Sequence, residues 1–151
     1  MSESEFDPNC EFCAIGRGSD SSVEVVCGDE NWIAFFPLSP ATLGHTLVIP
    51  RTHVADLWRV NPSLGTELMA AVIRVGRAIT NALQPKGMNL ITSAGETAEQ
   101  TVFHLHLHLV PTWHRDGFGR IWPVDGKYED ADLEDVANRI RTAYKTLGQP
   151  A

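Results

Sequence analysis

The sequence predicts an α+β fold made of a mostly antiparallel five-stranded sheet, one long helix and a C-terminal helix. Two observations lead to this prediction. Short apolar runs bounded by Gly, Pro, Asn and Asp recur through the first 111 residues, whereas apolar residues over 63–84 are spaced by three and four positions. Strands grouped around one long helix are typical of this class. The chain has 151 residues, of which 43% are hydrophobic, so we expect a single domain over 1–151.

Five segments are predicted to be strands. The stretch SSVEVVCGDENWIAFFPL (21–38) predicts a hairpin, because GDEN is rich in turn-forming residues. GHTLVIP (44–50) predicts a third strand, which Pro50 should end because proline has no N–H to give to a ladder. GMNLITSAG (87–95) and VFHLHLHLVP (102–111) predict the fourth and fifth strands, the last one ending at its proline.

Two segments are predicted to be helices. The long helix lies between Pro62 and Pro85, and its apolar stripe consists of Leu64, Leu68, Ala71, Val72, Val75, Ile79 and Leu83. The C-terminal helix covers 130–148 and has an acidic first turn, which suits the helix dipole. Its stripe consists of Leu133, Val136, Ile140, Ala143 and Leu147.

Composition and charge limit the partners that we expect. The formal net charge is −7 and there is no basic block, so large nucleic acids are poor partners, while a small phosphate ligand held by local donors is possible. No apolar run approaches the roughly 18 to 20 residues of a membrane span, and the start MSESEFDPN is acidic where a signal peptide is basic and then apolar. We expect a cytoplasmic protein that does not bind membranes.

The run TVFHLHLHLVP places a histidine at every second position, with leucine between. Side chains alternate along a strand, so His104, His106 and His108 should share one face and line a surface, while the leucines pack into the core. Same-face neighbours on a strand lie about 6.8 Å apart, and the outer pair lies about 13–14 Å apart, so one ion cannot bind all three rings. The three histidines must therefore have different roles.

The segment AGETAEQT, just before the histidines, has the composition of an anion-binding loop. Gly95, Gln100 and Thr101 are small or hydrogen-bonding residues that suit a cradle of backbone N–H groups and side-chain donors. An oxyanion loop beside a histidine strand indicates acyl or phosphoryl chemistry with imidazole as nucleophile or as acid and base.

The chain contains three cysteines. Cys10 and Cys13 form a CxxC, and Cys27 stands alone in a strand-like stretch. In a cytosolic chain a CxxC is more often a metal clip or a redox pair than part of a disulfide framework, and no thioredoxin-like βαβ pattern follows. Because there is no second CxxC, two further metal ligands would have to be histidines.

The run His104-Leu-His106-Leu-His108-Leu-Val110 resembles the histidine triad family of nucleotidyl hydrolases and transferases, and GHTLVIPRTHV, the long helix and NLITSAGETAEQT extend the resemblance. The resemblance implies that His106 attacks the α-phosphorus of a small nucleotide substrate and forms a nucleotidyl-histidine that water hydrolyses. It implies that His108 binds the phosphate oxygens and assists the leaving group as imidazolium, and that His45 stands behind the nucleophile. Gln100 and Thr101 would hold the phosphate.

The same resemblance implies a structural zinc site, a nucleoside pocket and a homodimer. Some bacterial members bind zinc through positions filled here by Cys10, Cys13, His53 and His104. Phe12, Ile15, Phe35 and Leu38 fall where members place apolar contacts to the base and ribose, although each suits an ordinary core equally well. Related proteins pair through the long helix and a strand edge, so we expect a homodimer.

Three positions depart from the family pattern. Pro37 stands where many members have an aspartate that binds the ribose hydroxyls, so ribose recognition is open. Ser93 replaces an asparagine that touches phosphate, and its hydroxyl can do part of that work. Glu99 stands where glycine is expected, and its carboxylate would repel a phosphate unless it points away.

Three functions are compatible with these residues. The first is a nucleotidyl hydrolase that acts on a small phosphoanhydride, phosphoramidate or dinucleoside polyphosphate. The second is a nucleotide-binding or scaffold protein with weak or lost catalysis, which the three departures favour. The third is a metal-dependent hydrolase in which His104 and His106 hold the metal, with a third ligand and a bound water.

Overall fold

A computed structural model describes residues 6–148 of the chain, which divides into two compact units, Met1–Gly119 and Arg120–Ala151. The first unit contains α1 (Glu11–Gly16), β1 (Val25–Gly28), β2 (Trp32–Phe35), β3 (Thr46–Pro50), α2 (Pro62–Leu83), β4 (Gly87–Ile91) and β5 (Leu107–Thr112). The strands form one sheet in the order β1-β2-β3-β5-β4, and every neighbouring pair is antiparallel. The predicted α+β class with a five-stranded antiparallel sheet is confirmed.

The two faces of the sheet carry two separate apolar clusters. On one face, α2 packs against Trp32, Val48, Leu107 and Leu109 of the strands and against Leu105, which precedes β5. On the other face, Phe12 and Ile15 of α1 pack against Ile33, Phe35, Leu47 and Ile49. Burial of one such side chain stabilises the fold by about 1.5–3 kcal/mol. The predicted alternation of leucine and histidine therefore holds, and the histidines lie on the α1 face.

The long helix begins and ends where its flanking residues require. The side chain of Asn61 accepts a hydrogen bond from the Leu64 N–H at 2.9 Å, which caps the first turn, and Pro62 occupies a first-turn position where no N–H is needed. Gln84 adopts the left-handed conformation (φ 50°) and Pro85 follows, so the helix cannot continue.

The histidine segment is a strand over only part of its length. β5 begins at Leu107, and residues 101–106 precede the ladder, where the Leu105 N–H donates to the Val54 carbonyl instead. The sequence predicted that Pro111 ends this strand, but β5 continues to Thr112. Pro111 pairs with Met88 of β4. The pairing of β5 with β3 covers only 107–109, so β3 requires no N–H from Pro111.

Several short elements were not predicted. α1 has six residues, which is too few to show a helical period, and two 3₁₀ turns lie at Leu57–Arg59 and Glu96–Ala98. The β4 strand ends at Ile91, four residues before the predicted end, because the chain then turns into the loop that carries Gly95. These pieces carry much of the candidate site described below.

The second unit contains α3 (Asp130–Leu147), which confirms the predicted C-terminal helix. All of its described side chains are exposed or half-buried, and Leu133, Ile140 and Leu147 are among the exposed ones. Whether 1–151 behaves as a single domain stays a prediction. Over residues 6–148, no helix has the combined length and apolar character that crossing a bilayer requires.

Candidate functional site

The middle histidine of the run has one ring nitrogen occupied and the other free to react. His106 Nδ1 lies 2.7 Å from the main-chain oxygen of His104, and since a carbonyl can only accept, Nδ1 carries the proton. In the neutral ring Nε2 then holds a lone pair, which is the form that a nucleophile needs. The Thr92 hydroxyl donates to the His106 carbonyl at 2.9 Å and holds the backbone of the same residue.

The third histidine of the run is oriented through His45. The Ala41 N–H donates to His45 Nδ1 at 3.0 Å, so the proton of a neutral His45 lies on Nε2. That Nε2–H donates to His108 Nδ1 at 2.9 Å, which leaves His108 with its own proton on Nε2. His45 was predicted behind the nucleophile; in the structure it bonds to His108 instead, because a backbone carbonyl already occupies His106 Nδ1.

The environment of the histidines favours their neutral forms. Burial lowers the pKa of His106, although its bond to the His104 carbonyl opposes the shift. Burial, with repulsion from His106 and His45, lowers the pKa of His108 to about 4. At neutral pH His108 is therefore a neutral Nε2–H donor, and the imidazolium form that the resemblance implied is disfavoured in the protein without ligand. The predicted surface of imidazoles is also corrected, since His104 and His106 are buried and the ring of Phe12 from α1 packs against both.

A pH dependence of stability follows from the depressed pKa of His108. Above pH 6.5, its ordinary pKa, the ring is neutral in both the folded and unfolded states. Between pH 6.5 and about 4 the unfolded chain binds a proton that the folded protein does not, so the free energy of unfolding falls as the pH falls. Urea denaturation of the parent and of His108→Asn at several pH values measures this. Between pH 6.5 and about 4 the variant should take up fewer protons on unfolding, so its free energy of unfolding should depend less steeply on pH. Equal slopes of this free energy against pH in the parent and the variant would contradict the assignment.

The loop before the histidines is held by the side chain of Gln100, which is 4% exposed. Its Oε1 accepts from the Gly95 N–H at 2.8 Å, and its Nε2 donates to the carbonyls of Ala55 and Val102 at 2.7 and 3.1 Å. The amide thus joins three backbone segments. Its predicted role in holding phosphate stays a prediction, and its contacts in the structure fix the shape of the loop.

Glu99 occupies a backbone conformation that suits glycine. Its φ is +64° and its ψ is 24°, so an L side chain is strained there by about 1–2 kcal/mol. Glu99→Gly is expected to raise the free energy of unfolding by about 0.5–1 kcal/mol, because relief of strain exceeds the extra entropy that glycine loses. The control is Glu96→Gly, three residues earlier and without a positive φ, which should destabilise by a similar amount. Urea denaturation measures the free energy of unfolding of both variants. Changes of the same sign in Glu99→Gly and Glu96→Gly would contradict the argument.

The other two residues predicted to bind phosphate lie on either side of this loop. Ser93 is half-buried and follows Thr92, whose hydroxyl donates to the carbonyl of His106. Thr101 is exposed and lines a cavity of about 440 Å³ together with Cys10 and His53. The structure therefore places Thr101 beside the cysteine cluster, and phosphate binding by either residue stays a prediction.

The four residues predicted for the nucleoside pocket do lie together. One cavity of about 230 Å³ is lined by all four, namely Phe12, Ile15, Phe35 and Leu38. Its other lining residues are Glu11, Asp20, Ser22, Val23, Pro37 and Leu47. Phe12 connects this cavity with the histidines, because its ring packs edge-on against Phe35 at 5.6 Å and against His106 at 5.2 Å between centroids. A largely apolar cavity that is one side chain away from His106 suits the base of a nucleotide whose phosphate lies at that histidine.

The predicted metal ligands form one cluster. One donor atom from each of Cys10, Cys13, His53 and His104 lies within 4.8 Å of the others. Cys13 Sγ lies 3.4 Å from His53 Nδ1 and 3.5 Å from His104 Nδ1, and Cys10 Sγ lies 3.5 Å from His104 Nδ1. Tetrahedral Zn²⁺ with usual bond lengths of about 2.3 Å to sulfur and about 2.0–2.1 Å to nitrogen separates S and N by about 3.5–3.6 Å. The four residues therefore fit a zinc ion.

The surroundings of the cluster support the same conclusion. The His104 ring donates its other N–H to the Pro50 carbonyl at 2.8 Å, which fixes Nδ1 towards the sulfurs. Burial raises the pKa of the Cys13 thiol, so its thiolate needs a nearby cation. All four ligand positions are supplied by the protein, which is typical of a structural rather than a catalytic zinc site.

A shared metal site at His104 and His106 does not fit this geometry. The Nδ1 of His104 points to the sulfurs, its Nε2 bonds to Pro50, and the Nδ1 of His106 bonds to a carbonyl. Within residues 6–148, the group of ligands that contains His104 does not include His106. The third function considered from the sequence is therefore not favoured.

Some residues of the site were not predicted. Ala41 and Thr92 orient His45 and the backbone of His106, and Pro50 orients His104 through its carbonyl. Two of these three contacts use main-chain atoms, which every residue has, so no residue type at those positions could have indicated them. Asp20, which lines the cavity predicted to bind the nucleoside, was also missed.

Residues 19–115 match the HIT domain family, and they make up more than half of the chain. The chain belongs to this family. Among the relatives of this HIT protein, Protein hit of Bacillus subtilis (strain 168) is 38% identical over 134 residues, which cover 87% of this chain and 92% of the relative. The family predicted from the triad is confirmed, and membership supports nucleotide hydrolase or transferase activity in general.

Solved structures resemble the HIT protein along most of its length. SMU.412c from Streptococcus mutans UA159 superposes with a TM-score of 0.86 at 35% identity, and covers 93% of this chain and 88% of its own. A Zn-bound histidine triad family protein from Mycobacterium smegmatis has a TM-score of 0.68 at 35% identity, with 89% and 97% coverage. A curated relative, adenosine 5'-monophosphoramidase hnt1 of Schizosaccharomyces pombe, is 31% identical over 137 residues, 88% of this chain and 99% of the relative.

Proposed function

We propose that this HIT protein is a nucleotidyl hydrolase or transferase that works through a covalent nucleotidyl intermediate on His106. Its substrates would be small phosphoanhydrides, phosphoramidates or dinucleoside polyphosphates. The observation that carries the proposal is the bond from His106 Nδ1 to the His104 carbonyl, because it leaves the Nε2 lone pair free on a ring that packs against Phe12 of the largely apolar cavity. The monophosphoramidase activity in the name of the S. pombe relative supports the phosphoramidate class.

In the first step, the Nε2 lone pair of His106 forms an N–P bond to the α-phosphorus while the bond from phosphorus to the leaving group breaks. When the substrate is a phosphoramidate, its bridging nitrogen is already protonated. The leaving group therefore departs as a neutral amine and needs no proton from the protein. The Nε2–H of His108 donates to a phosphate oxygen as negative charge builds up, and the His45 bond holds that donor in place. His106 and His108 lie side by side, with ring centroids 4.9 Å apart, so one phosphate can contact both rings.

In the second step, a water oxygen forms a bond to phosphorus and the N–P bond to His106 breaks. The lone pair returns to Nε2, the nucleoside monophosphate leaves, and the water proton passes to solvent. Because Nδ1 remains bonded to the His104 carbonyl, the ring returns to the tautomer from which it started. Splitting one displacement into two lets a single site accept different leaving groups.

We also propose that Cys10, Cys13, His53 and His104 hold a structural zinc ion. The Zn-bound relative from M. smegmatis supports the identity of the ion, and the S–N distances in the cluster support the fit. When bound, zinc would supply a rigid crosslink between α1 and the segments that carry His53 and His104. The expected homodimer and cytoplasmic location stay predictions.

Intact-protein mass spectrometry tests the covalent intermediate. The parent is mixed briefly with adenosine 5′-phosphoramidate, quenched under mild conditions, and compared with His106→Ala. We expect a transient adenylyl adduct in the parent and none in the variant. An adduct that persists in His106→Ala, or product formation by the parent with no adduct at the earliest times, would remove His106 from the mechanism.

A second candidate is a nucleotide-binding protein with weak or lost catalysis. Two observations favour it: the Gln100 amide bonds to backbone groups, and Glu99 places a strained carboxylate-bearing residue in the phosphate loop. Tight binding of a nucleotide with no adduct and no turnover would support this candidate over the enzyme.

A further inference from the structure

The cavity lined by Phe12, whose ring packs against His106, has an apolar wall and a polar edge. Phe12, Phe35 and Leu47 belong to the apolar cluster on the α1 face, whereas Asp20 and Ser22 come from the connection between α1 and β1. Pro37, at the end of β2, lines the same cavity and offers no side-chain acceptor. The carboxylates at this cavity are those of Glu11, in the first turn of α1, and of Asp20, in the connection, and the Asp20 carboxylate is held by a hydrogen bond from the Ser22 N–H.

The connection between α1 and β1 is held in a fixed shape. Gly18 has a φ of +72°, which turns the chain back after the helix. The backbone N–H groups of Ser19 and Asp20 then both donate to the Ala14 carbonyl, at 3.0 and 3.3 Å, and the Ser19 hydroxyl donates to the same oxygen at 3.0 Å. Asp20 is thus anchored to the helix that carries Phe12, so its side chain keeps its place at the cavity edge.

The Asp20 side chain is oriented and ionised. Its Oδ1 accepts from the Ser22 N–H at 2.8 Å, which closes a short turn. Bonds from Ser22 lower the pKa of the Asp20 carboxyl, so it is a carboxylate at neutral pH. A carboxylate accepts at both oxygens and has about four lone-pair sites, so one backbone bond leaves capacity for a ligand. The complementary ligand group must be a donor, and two neighbouring hydroxyls match two carboxylate oxygens.

We propose that Asp20 binds the vicinal ribose hydroxyls of the nucleotide and supplies the acceptor that Pro37 lacks. The inference rests on the proposed function, since it assumes a nucleotide whose phosphate lies at His106. It makes the α1–β1 connection, rather than the end of β2, the element that distinguishes ribose from deoxyribose. Asp20 acts on binding and does not touch the reacting atoms.

A comparison of ligands and variants tests the proposal. Calorimetry measures the dissociation constants of AMP and 2′,3′-dideoxy-AMP for the parent, for Asp20→Asn and for the control Glu24→Gln. Asp20→Asn keeps an oxygen for the Ser22 N–H, so the turn is retained, and Glu24→Gln removes the same charge from an exposed residue close by. Thermal unfolding checks that each variant is folded.

We expect Asp20→Asn to weaken AMP binding about tenfold or more, as is typical for loss of hydrogen bonds to a charged group. Binding of 2′,3′-dideoxy-AMP should change less than twofold, and Glu24→Gln should leave both constants unchanged. Equal weakening of both ligands by Asp20→Asn, or no weakening of either, would overturn the proposal. Purine riboside 5′-monophosphate, which lacks the 6-amino group, should show the same loss as AMP; if it does not, the carboxylate binds the base and the proposal is overturned.

The adenylyl adduct on His106 separates this inference from the proposed function. A parent that forms the adduct but shows no difference between the two ligands in Asp20→Asn disproves only the role of Asp20. A parent that neither binds AMP nor forms the adduct disproves both.

Discussion

Replacing His106 with asparagine is expected to lower the turnover of adenosine 5′-phosphoramidate by about 10⁴-fold or more, since loss of a covalent nucleophile is among the largest single-residue effects in catalysis. The asparagine amide can donate to the His104 carbonyl in place of Nδ1–H, so the packing around the site is preserved. It has no atom that corresponds to Nε2. The variant therefore removes the attacking atom and little else.

Steady-state rates of phosphoramidate hydrolysis measure this effect, and His114→Asn is the matched control. His114 is exposed and lies outside the residues assigned to the site, so its variant should keep the parent's rate. Binding of AMP to His106→Asn should stay within a few-fold of the parent's, because the bound phosphate needs donors and not the lone pair. A turnover close to the parent's in His106→Asn would show that another group, or water itself, attacks phosphorus.

Replacing Cys13 with alanine is expected to abolish metal binding and to lower the free energy of unfolding by about 5 kcal/mol or more. Cys13 is fully buried, and its sulfur approaches both His53 and His104. Binding of structural zinc contributes about 10–16 kcal/mol in small zinc-dependent peptides, and here the hydrophobic core retains part of the stability without metal. Loss of one of four ligands removes most of the metal's share.

Elemental analysis of the purified protein and urea denaturation, each with and without a chelator, measure the metal content and the stability. The matched control is Cys27→Ala, because Cys27 is an exposed cysteine outside the metal cluster. It should retain one zinc per chain and unfold like the parent. A parent that contains no metal and whose unfolding is insensitive to chelator would contradict the zinc assignment.

The sequence was most informative where a pattern repeats. The period of apolar residues located α2 and α3, and the alternation of His and Leu placed the triad and the leucines on opposite faces of the sheet. The cluster of predicted metal ligands joins residues up to 94 positions apart, from Cys10 to His104, and the cavity predicted to bind the nucleoside joins residues from Glu11 to Leu47. No periodicity relates such residues, and only the resemblance to a family brought them together.

The sequence was least informative about hydrogen bonds that use the backbone. The partner of His45 was misplaced because the carbonyl of His104 occupies the position behind His106. The strain at Glu99 depends on how the loop turns, and the beginning of β5 depends on which strand supplies its partners. Each of these is a property of the chain path, which tertiary contacts determine.

His104 contacts both the cysteines and His106, but through different atoms. Its ring faces the cysteines, and its main-chain oxygen accepts the proton of His106 Nδ1. The ring requires histidine at position 104, whereas every amino acid has the main-chain oxygen. A single substitution at this position therefore removes the ring from the cysteine cluster and leaves the acceptor that sets the tautomer of His106. The tautomer of His106 thus depends on the course of the backbone at residue 104 and not on which side chain is attached there.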